Sequence, residues 1–277
     1  MSTQAPRRLN DGSSIPPMGF GTWPLTGDEA AVAVETALRT GYRLIDTAAR
    51  YDNEEDVGRG LHASGVPRSE VFVTTKLAGA DHGYDATLRA FDASARRLGL
   101  ERVDLYLIHW PLPARNLYVD SWRAFLRLKD EGRVRSVGVS NFDPEHIRRL
   151  VDVTGVAPVV NQVELHPDFA QKPLRDDAAS QGIVVEAWSP LGRGGELLKR
   201  DVITRLAKKH GRSPAQIILR WHVELGNVAI PKSQNPQRMK ENLEVFDFRL
   251  DADDLGALAA LDRGHRQGGD PNVYVEL

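Results

Sequence analysis

The sequence predicts an α/β fold in which about eight parallel strands close into a (β/α)8 barrel behind an N-terminal β-hairpin. Three observations carry that expectation. Short apolar runs alternate with helical patterns along nearly the whole chain. Several of the runs, such as Val71-Phe72-Val73 and Leu105-Tyr106-Leu107-Ile108, are continuous, as in a strand buried on both faces. The runs also finish on polar or titratable residues, and the carboxyl ends of strands are where a parallel barrel builds its site. A doubly wound open sheet competes with this architecture, but it would gather those polar ends at one switch point. Here they recur throughout.

Taken in order, residues 7–17 read as a hairpin turning at Asn10-Asp11-Gly12, whose side chains suit left-handed turn dihedrals, and it would cover the bottom of the barrel. A strand follows at 18–21, then a helix through Ala31, Val34, Ala37 and Leu38 that stops at a glycine cap, Gly41. The unit repeats as strand 44–47 with helix 55–62, strand 72–76 with helix 85–98, and strand 105–109 with helix 121–131. Further strands are expected at 137–140, 159–164, 183–188 and 228–230, with helices at 144–153, 174–181 and 213–225. Residues 236–245 carry an amphipathic helical pattern. Two polar stretches, 78–84 and 263–272, read as loops long enough to border a pocket.

Composition narrows the function classes. The 277 residues are 41% hydrophobic and 27% charged with a net charge of -2, which suits one domain over residues 1–277 and argues against a nucleic-acid or anionic-membrane partner. The absence of cysteine excludes disulfides, thiolate catalysis and cysteine-ligated metals. Arg7 and Arg8 have no apolar run behind them and no stretch is long enough to span a bilayer, so the expected location is the cytoplasm. No metal set is expected, because His-x-x-x-His and His-Glu-x-x-His are absent and His62, His146 and His210 fall in helical or loop stretches. Gly19-Phe20-Gly21 does not open a dinucleotide fingerprint, since Pro24 stands where the third glycine belongs.

The strand ends supply the candidate chemistry. Leu44-Ile45-Asp46 runs on to Tyr51, the next strand ends in Lys76, and the one after it in His109. Taken singly, Asp46 and Lys76 read as a structural ion pair and His109 as a satisfied core histidine. Converging with Tyr51 at the carboxyl ends of neighbouring strands, the four read as a catalytic set. Ser140-Asn141, Gln162, Trp188-Ser189 and Pro231-Lys232-Ser233 end the later strands.

These blocks, in this order, resemble the aldo-keto reductase family, and within it the bacterial 2,5-diketo-D-gluconate reductases. The likeness runs from Leu9-Asn10-Asp11-Gly12 through Gly41-Tyr42-Arg43-Leu44-Ile45-Asp46-Thr47-Ala48 and Ile230-Pro231-Lys232-Ser233 to Glu241-Asn242-Leu243. It implies a (β/α)8 barrel, a monomer, and reduction of a small-molecule carbonyl with NADPH. Hydride transfer builds negative charge on oxygen and calls for a proton donor, the role of Tyr51. A neighbouring ammonium lowers a phenol's pKa, so Lys76 is expected to ease proton release, with Asp46 as its countercharge and His109 orienting the carbonyl.

The resemblance also implies a cofactor set. Ser140, Asn141 and Gln162 match the positions that hold the nicotinamide amide, and Trp188 matches the aromatic on which the nicotinamide ring stacks. Gly21 and Thr22 fall in the same cofactor region. Ser189, Leu191 and Gly192 lie on a glycine-rich loop suited to a pyrophosphate, Lys232, Ser233 and Arg238 match the 2′-phosphate pocket, and Glu241 and Asn242 match adenine contacts. Trp23, Tyr51, His109 and Trp110 match substrate positions.

Two departures bear on the substrate. Asp52 stands where the family usually has glycine, which either sets a carboxylate beside the proton donor and disfavours keto acids, or caps the helix beginning near Asn53. Ala78-Gly79 follows Leu77 where relatives often have tryptophan, and with a short tail after Arg263 the pocket is expected to be open and shallow. Two other classes of function are set against reduction. An NADPH-binding sensory module of the same fold would show a damaged tetrad, and a Schiff-base lysine would need a neutral amine.

Overall fold

The structure, a computed structural model, describes residues 5–276; residues 1–4 and 277, part of the expected domain span, lie outside the described residues. The hairpin comes first. Strands β1 (Arg7–Arg8) and β2 (Ser14–Ile15) pair antiparallel around the turn at residues 10–12, where Gly12 takes φ 85°. Asp11 locks that turn beneath the barrel by accepting a hydrogen bond from Ser136 at 2.8 Å.

Eight parallel strands follow: β3 (Phe20–Gly21), β4 (Leu44–Asp46), β5 (Phe72–Leu77), β6 (Val103–Ile108), β7 (Val134–Ser140), β8 (Val160–Glu164), β9 (Val184–Trp188) and β10 (Val228–Ala229). Each pairs with the next in sequence. The ring closes where Met18 bridges Ala229 in parallel and the Gly19 and Gly21 amides donate to Ala229 and Pro231 carbonyls at 2.8 and 3.2 Å. A sheet with no free edge leaves no unpaired ladder, which is why the two-residue strands β3 and β10 persist.

Between and after the strands lie α1 (Gly27–Thr40), α2 (Glu54–Ala63), α3 (Tyr84–Leu98), α4 (Tyr118–Asp130), α5 (Pro144–Thr154), α6 (Lys172–Ser180), α7 (Asp201–His210), α8 (Pro214–Glu224), α9 (Pro236–Leu243) and α10 (Ala252–Ala259). Helices α7 and α10 are additions to the expected set. Each expected strand is found, with β7 beginning three residues earlier than the sequence suggests, at Val134, where it pairs with Val103 of β6.

The period of two along each strand divides outward from inward residues. Inward-facing Leu44, Phe72, Leu105, Val160 and Val228 form a dry lower layer with Leu9 and Ile15 of the hairpin. An even number of residues further along the inward faces come Asp46, Lys76, Gln162 and Glu186, all at most 2% exposed. The lower layer is sealed and apolar, so every charge inside the barrel lies toward the carboxyl end.

Candidate active site

Strand direction brings the four expected catalytic residues together. The Lys76 ammonium, fully buried, donates to Asp46 at 2.6 Å, to the Thr47 carbonyl at 2.9 Å and to the Tyr51 hydroxyl at 3.3 Å. Tyr51 sits at the end of a 3₁₀ turn immediately after β4, and the His109 ring, one residue past β6, meets it edge-on with centroids 5.7 Å apart. Asp46, Tyr51 and His109 line a cavity of about 1230 Å³ that opens at the carboxyl end of the barrel; Lys76 lies beneath.

Electrostatics keep these groups in definite protonation states. Burial alone would lower the Lys76 pKa, but the Asp46 carboxylate and Tyr51 oxygen outweigh it and the net shift is upward, so the amine stays charged. That removes a neutral amine for Schiff-base chemistry. For Tyr51 the sequence-based expectation of a lowered pKa is not met. Burial is the largest influence and raises it, Lys76 opposes, and Asp46 and Glu276 add to the rise. The phenol of the free protein therefore holds its proton firmly.

Around this centre the strand ends form an amide shelf. Gln162 directs its amide nitrogen at Asp46 (2.7 Å) and at Glu186 (3.2 Å), which leaves its carbonyl oxygen as an acceptor. Asn141, held at φ 61°, donates to the His109 carbonyl and Ser140 hydroxyl at 3.0 and 3.1 Å and accepts the Trp188 indole N–H at 2.9 Å. Ser140 donates to the Gln162 carbonyl at 2.8 Å. Trp188 is backed by Gly268, where a Cβ would come within 2.4 Å of the indole. That indole forms one wall of the cavity.

The donor set at the far end of the cavity fits a phosphorylated dinucleotide. Lys232 and Ser233 follow β10, Arg238 lies in the first turn of α9, and neither cation has a carboxylate partner among the described residues. Two uncommitted cations, a hydroxyl and a helix N-terminus are what a phosphate dianion requires. Gly21, Thr22, Ser189, Leu191, Glu241 and Asn242 line the same cavity. Gly192 does not; at φ 59° it packs against Leu197, so its glycine serves the turn of the loop. No cluster of metal-ligand side chains occurs among the described residues.

The substrate end differs from expectation in several ways. Trp23 and Trp110 line the cavity, but Trp110 is buried under Tyr274, with ring centroids 4.1 Å apart. The tail therefore walls one side, and the pocket is neither open nor shallow there. Loops 78–84 and 263–272 do not line the cavity; Tyr274 and Glu276 do. Asp52 lies outside it, exposed in the left-handed region at φ 53°, which explains why glycine suits this position and why a tolerant Asp can replace it. Nor does it cap α2, whose N-cap residue is Asn53. Glu186, Tyr274 and Glu276 were missed as site residues. Glu186 stands in the period-two register of β9 with Trp188, which offered a clue; the tail has no period to read.

Comparison with known proteins fits this geometry. Residues 17–263 match the model of the aldo/keto reductase family. An aldo-keto reductase of Mycolicibacterium smegmatis is 54% identical over 266 residues, 96% of each chain. Methylglyoxal reductase DkgA of Salmonella typhimurium is 48% identical over 268 residues, covering 96% of this chain and 97% of that one. A mutant of Gox0644, crystallised in complex with NADPH, superposes with a TM-score of 0.95 at 48% identity, covering 99% of this chain and 100% of the other. The chain thus belongs to the aldo/keto reductase family and is an NADPH-dependent carbonyl reductase.

Proposed function

We propose that this protein reduces a small aldehyde or ketone, such as a diketone, a keto sugar or the α-ketoaldehyde for which the Salmonella relative is named, to its alcohol with Tyr51 as the general acid. One observation carries this role: Tyr51 lines the cavity while its hydroxyl contacts, at 3.3 Å, an ammonium that Asp46 keeps charged. When bound, NADPH supplies a hydride to the carbonyl carbon. As charge grows on the carbonyl oxygen, Tyr51 gives up its proton, and the phenolate left behind is stabilised by Lys76. His109, at the edge of the tyrosine, orients the carbonyl oxygen toward the same proton. Gln162 presents its carbonyl oxygen, and Asn141 the remaining lone pair of its own, to the carboxamide N–H groups of the nicotinamide, while Trp188 stacks on the ring. Lys232, Ser233 and Arg238 bind the 2′-phosphate, Ser189 and Leu191 border the pyrophosphate, and Glu241 and Asn242 meet the adenine.

The test is Tyr51→Phe. It should abolish NADPH-dependent reduction of methylglyoxal while leaving NADPH binding, followed by fluorescence quenching, near wild type. A variant retaining most of its turnover means the acid lies elsewhere, and a wild type that binds NADPH but turns over no carbonyl supports a sensory module. We further take residues 1–277 to act as one cytoplasmic barrel domain and as a monomer, which light scattering in solution checks; no helix among the described residues is long and apolar enough to cross a membrane.

A further inference from the structure

The tail after α10 is docked by individual contacts. Glu164, at the end of β8, accepts the backbone N–H groups of Gln267 and Gly268 at 2.7 Å each. Tyr274 lies over Trp110, and the chain then turns Glu276 inward, where it is 7% exposed. One Glu276 oxygen accepts the Gly79 amide at 2.5 Å, and the other lies 2.7 Å from His109 Nδ1, close but out of line with the ring N–H. Gly79 makes room for it: a Cβ there would stand 2.8 Å from the carboxylate and 2.4 Å from Leu112. The departure from the family pattern at Ala78-Gly79 is thus filled by an acid from the other end of the chain.

Burial pushes the Glu276 carboxyl up, but the His109 contact and the Gly79 amide outweigh it and the net shift is downward, so it is ionised at neutral pH. Among the described residues no lysine or arginine pairs with it. Arg50 and Arg193 line the cavity elsewhere, and Lys232 and Arg238 lie at its far end. Apart from the His109 ring 2.7 Å away, no side-chain cation among the described residues pairs with this carboxylate, so a negatively charged group borders the cavity beside His109, where a carbonyl would be held.

We propose that Glu276 is a specificity-determining residue, a fixed carboxylate in the substrate pocket that selects uncharged carbonyl compounds over those carrying a carboxylate. This presupposes carbonyl reduction in the cavity as set out above. Two like charges about 6 Å apart at an effective dielectric near 20 repel by a few kcal/mol before screening, enough for roughly tenfold discrimination after it. The neutral carbonyl meets no such penalty.

The experiment compares 4-nitrobenzaldehyde with 4-carboxybenzaldehyde, the same aldehyde with a neutral or an anionic group at similar distance. In wild type, kcat/KM with NADPH should favour the nitro compound, and high salt should narrow the gap. Glu276→Gln, which keeps shape and removes charge, should raise the carboxy-to-nitro ratio roughly tenfold, and NADPH binding by fluorescence should be unchanged. A ratio that moves less than twofold overturns the inference. Equal loss on both substrates with NADPH binding intact also overturns it and leaves Glu276 as a positioning residue for His109. If the variant does not fold, the salt dependence of the wild-type ratio decides alone, and a salt-independent ratio sinks the idea. A wild type that oxidises no NADPH with either aldehyde removes the reductase premise, whereas one that reduces both equally keeps that premise and refutes selection by Glu276.

Discussion

Arg238 is exposed, lies where α9 begins and has no carboxylate partner among the described residues, so removing it disturbs little of the fold. Arg238→Ala should leave stability within about 0.5 kcal/mol, since alanine is at least as good a helix former. Losing one charge-assisted contact to the 2′-phosphate should weaken NADPH by about 1.5 to 3 kcal/mol, roughly 10- to 150-fold in Kd, and leave NADH unaffected. Titration with both cofactors decides, and equal weakening would mean a structural role. Asp52 teaches a complementary point about reading single residues. Beside Tyr51 in sequence, it looked like a charge in the pocket, yet a left-handed φ of 53° at the end of the 3₁₀ turn carries it to the outer surface. Asp52→Gly should accordingly leave the ratio between anionic and neutral carbonyls unchanged. The four residues expected to be catalytic were legible because they lie at or just after the ends of the consecutive strands β4, β5 and β6, whereas the charge that borders the pocket was not, because it arrives from residue 276.

At the scale of elements, what was legible follows from periodicity. Eight strands and the helices between them announce themselves through apolar runs and glycine stops, such as Gly41 at φ 120°, whose amide satisfies the last carbonyls of α1. Helices α7 and α10 went unread because strand–helix alternation leads one to seek a single helix per crossover, and they add a second after β9 and a last one beyond α9. The tail could not be read in the same way: it is held by amides and isolated side chains. Its anchor is testable. The Glu164 carboxyl is pushed up by burial, but His166 and the Gln267 and Gly268 amides outweigh that and the net shift is downward. A carboxyl with a depressed folded pKa stabilises the fold above its unfolded pKa of about 4.5, and that contribution fades as pH falls through the lower folded value. Glu164→Gln would turn an amide N–H₂ or a weaker acceptor toward two half-buried amides, at about 1 to 3 kcal/mol. Limited proteolysis should then cut the tail faster in the variant, and wild type should approach the variant's rate only in acid. Equal rates at pH 7 would show that Tyr274 and Glu276 suffice to hold it.

For the whole molecule, the barrel is a closed apolar tube with one polar storey, and that storey is not charge-balanced. Asp46 and Glu186 share it with Lys76 alone, and all three are at most 2% exposed. Asp46 takes the ammonium at 2.6 Å, so Glu186, one of whose oxygens has no partner, keeps its proton. Burial first, and the nearby Asp46 second, push its pKa from 4.5 up to about 8. The sign follows from linkage: folded Glu186 binds its proton more tightly than the unfolded chain does, so this stabilisation is complete below pH 4.5 and is lost as pH rises to about 8. Each unit within that window removes up to about 1.4 kcal/mol, and relaxation of the buried site brings the whole effect to a few kcal/mol. Glu186→Gln keeps the size of the side chain and cannot titrate. Urea denaturation at pH 5, 6.5 and 8 should show wild-type stability falling toward pH 8 relative to the variant, with the difference between the two growing across the series. Parallel curves would show that Glu186 is already ionised at pH 5, and that a second cation or trapped water serves the polar storey. A widening gap would instead mean that the barrel tolerates its surplus acid by keeping one proton inside, a condition that the residues above it, Tyr51 included, inherit below about pH 8.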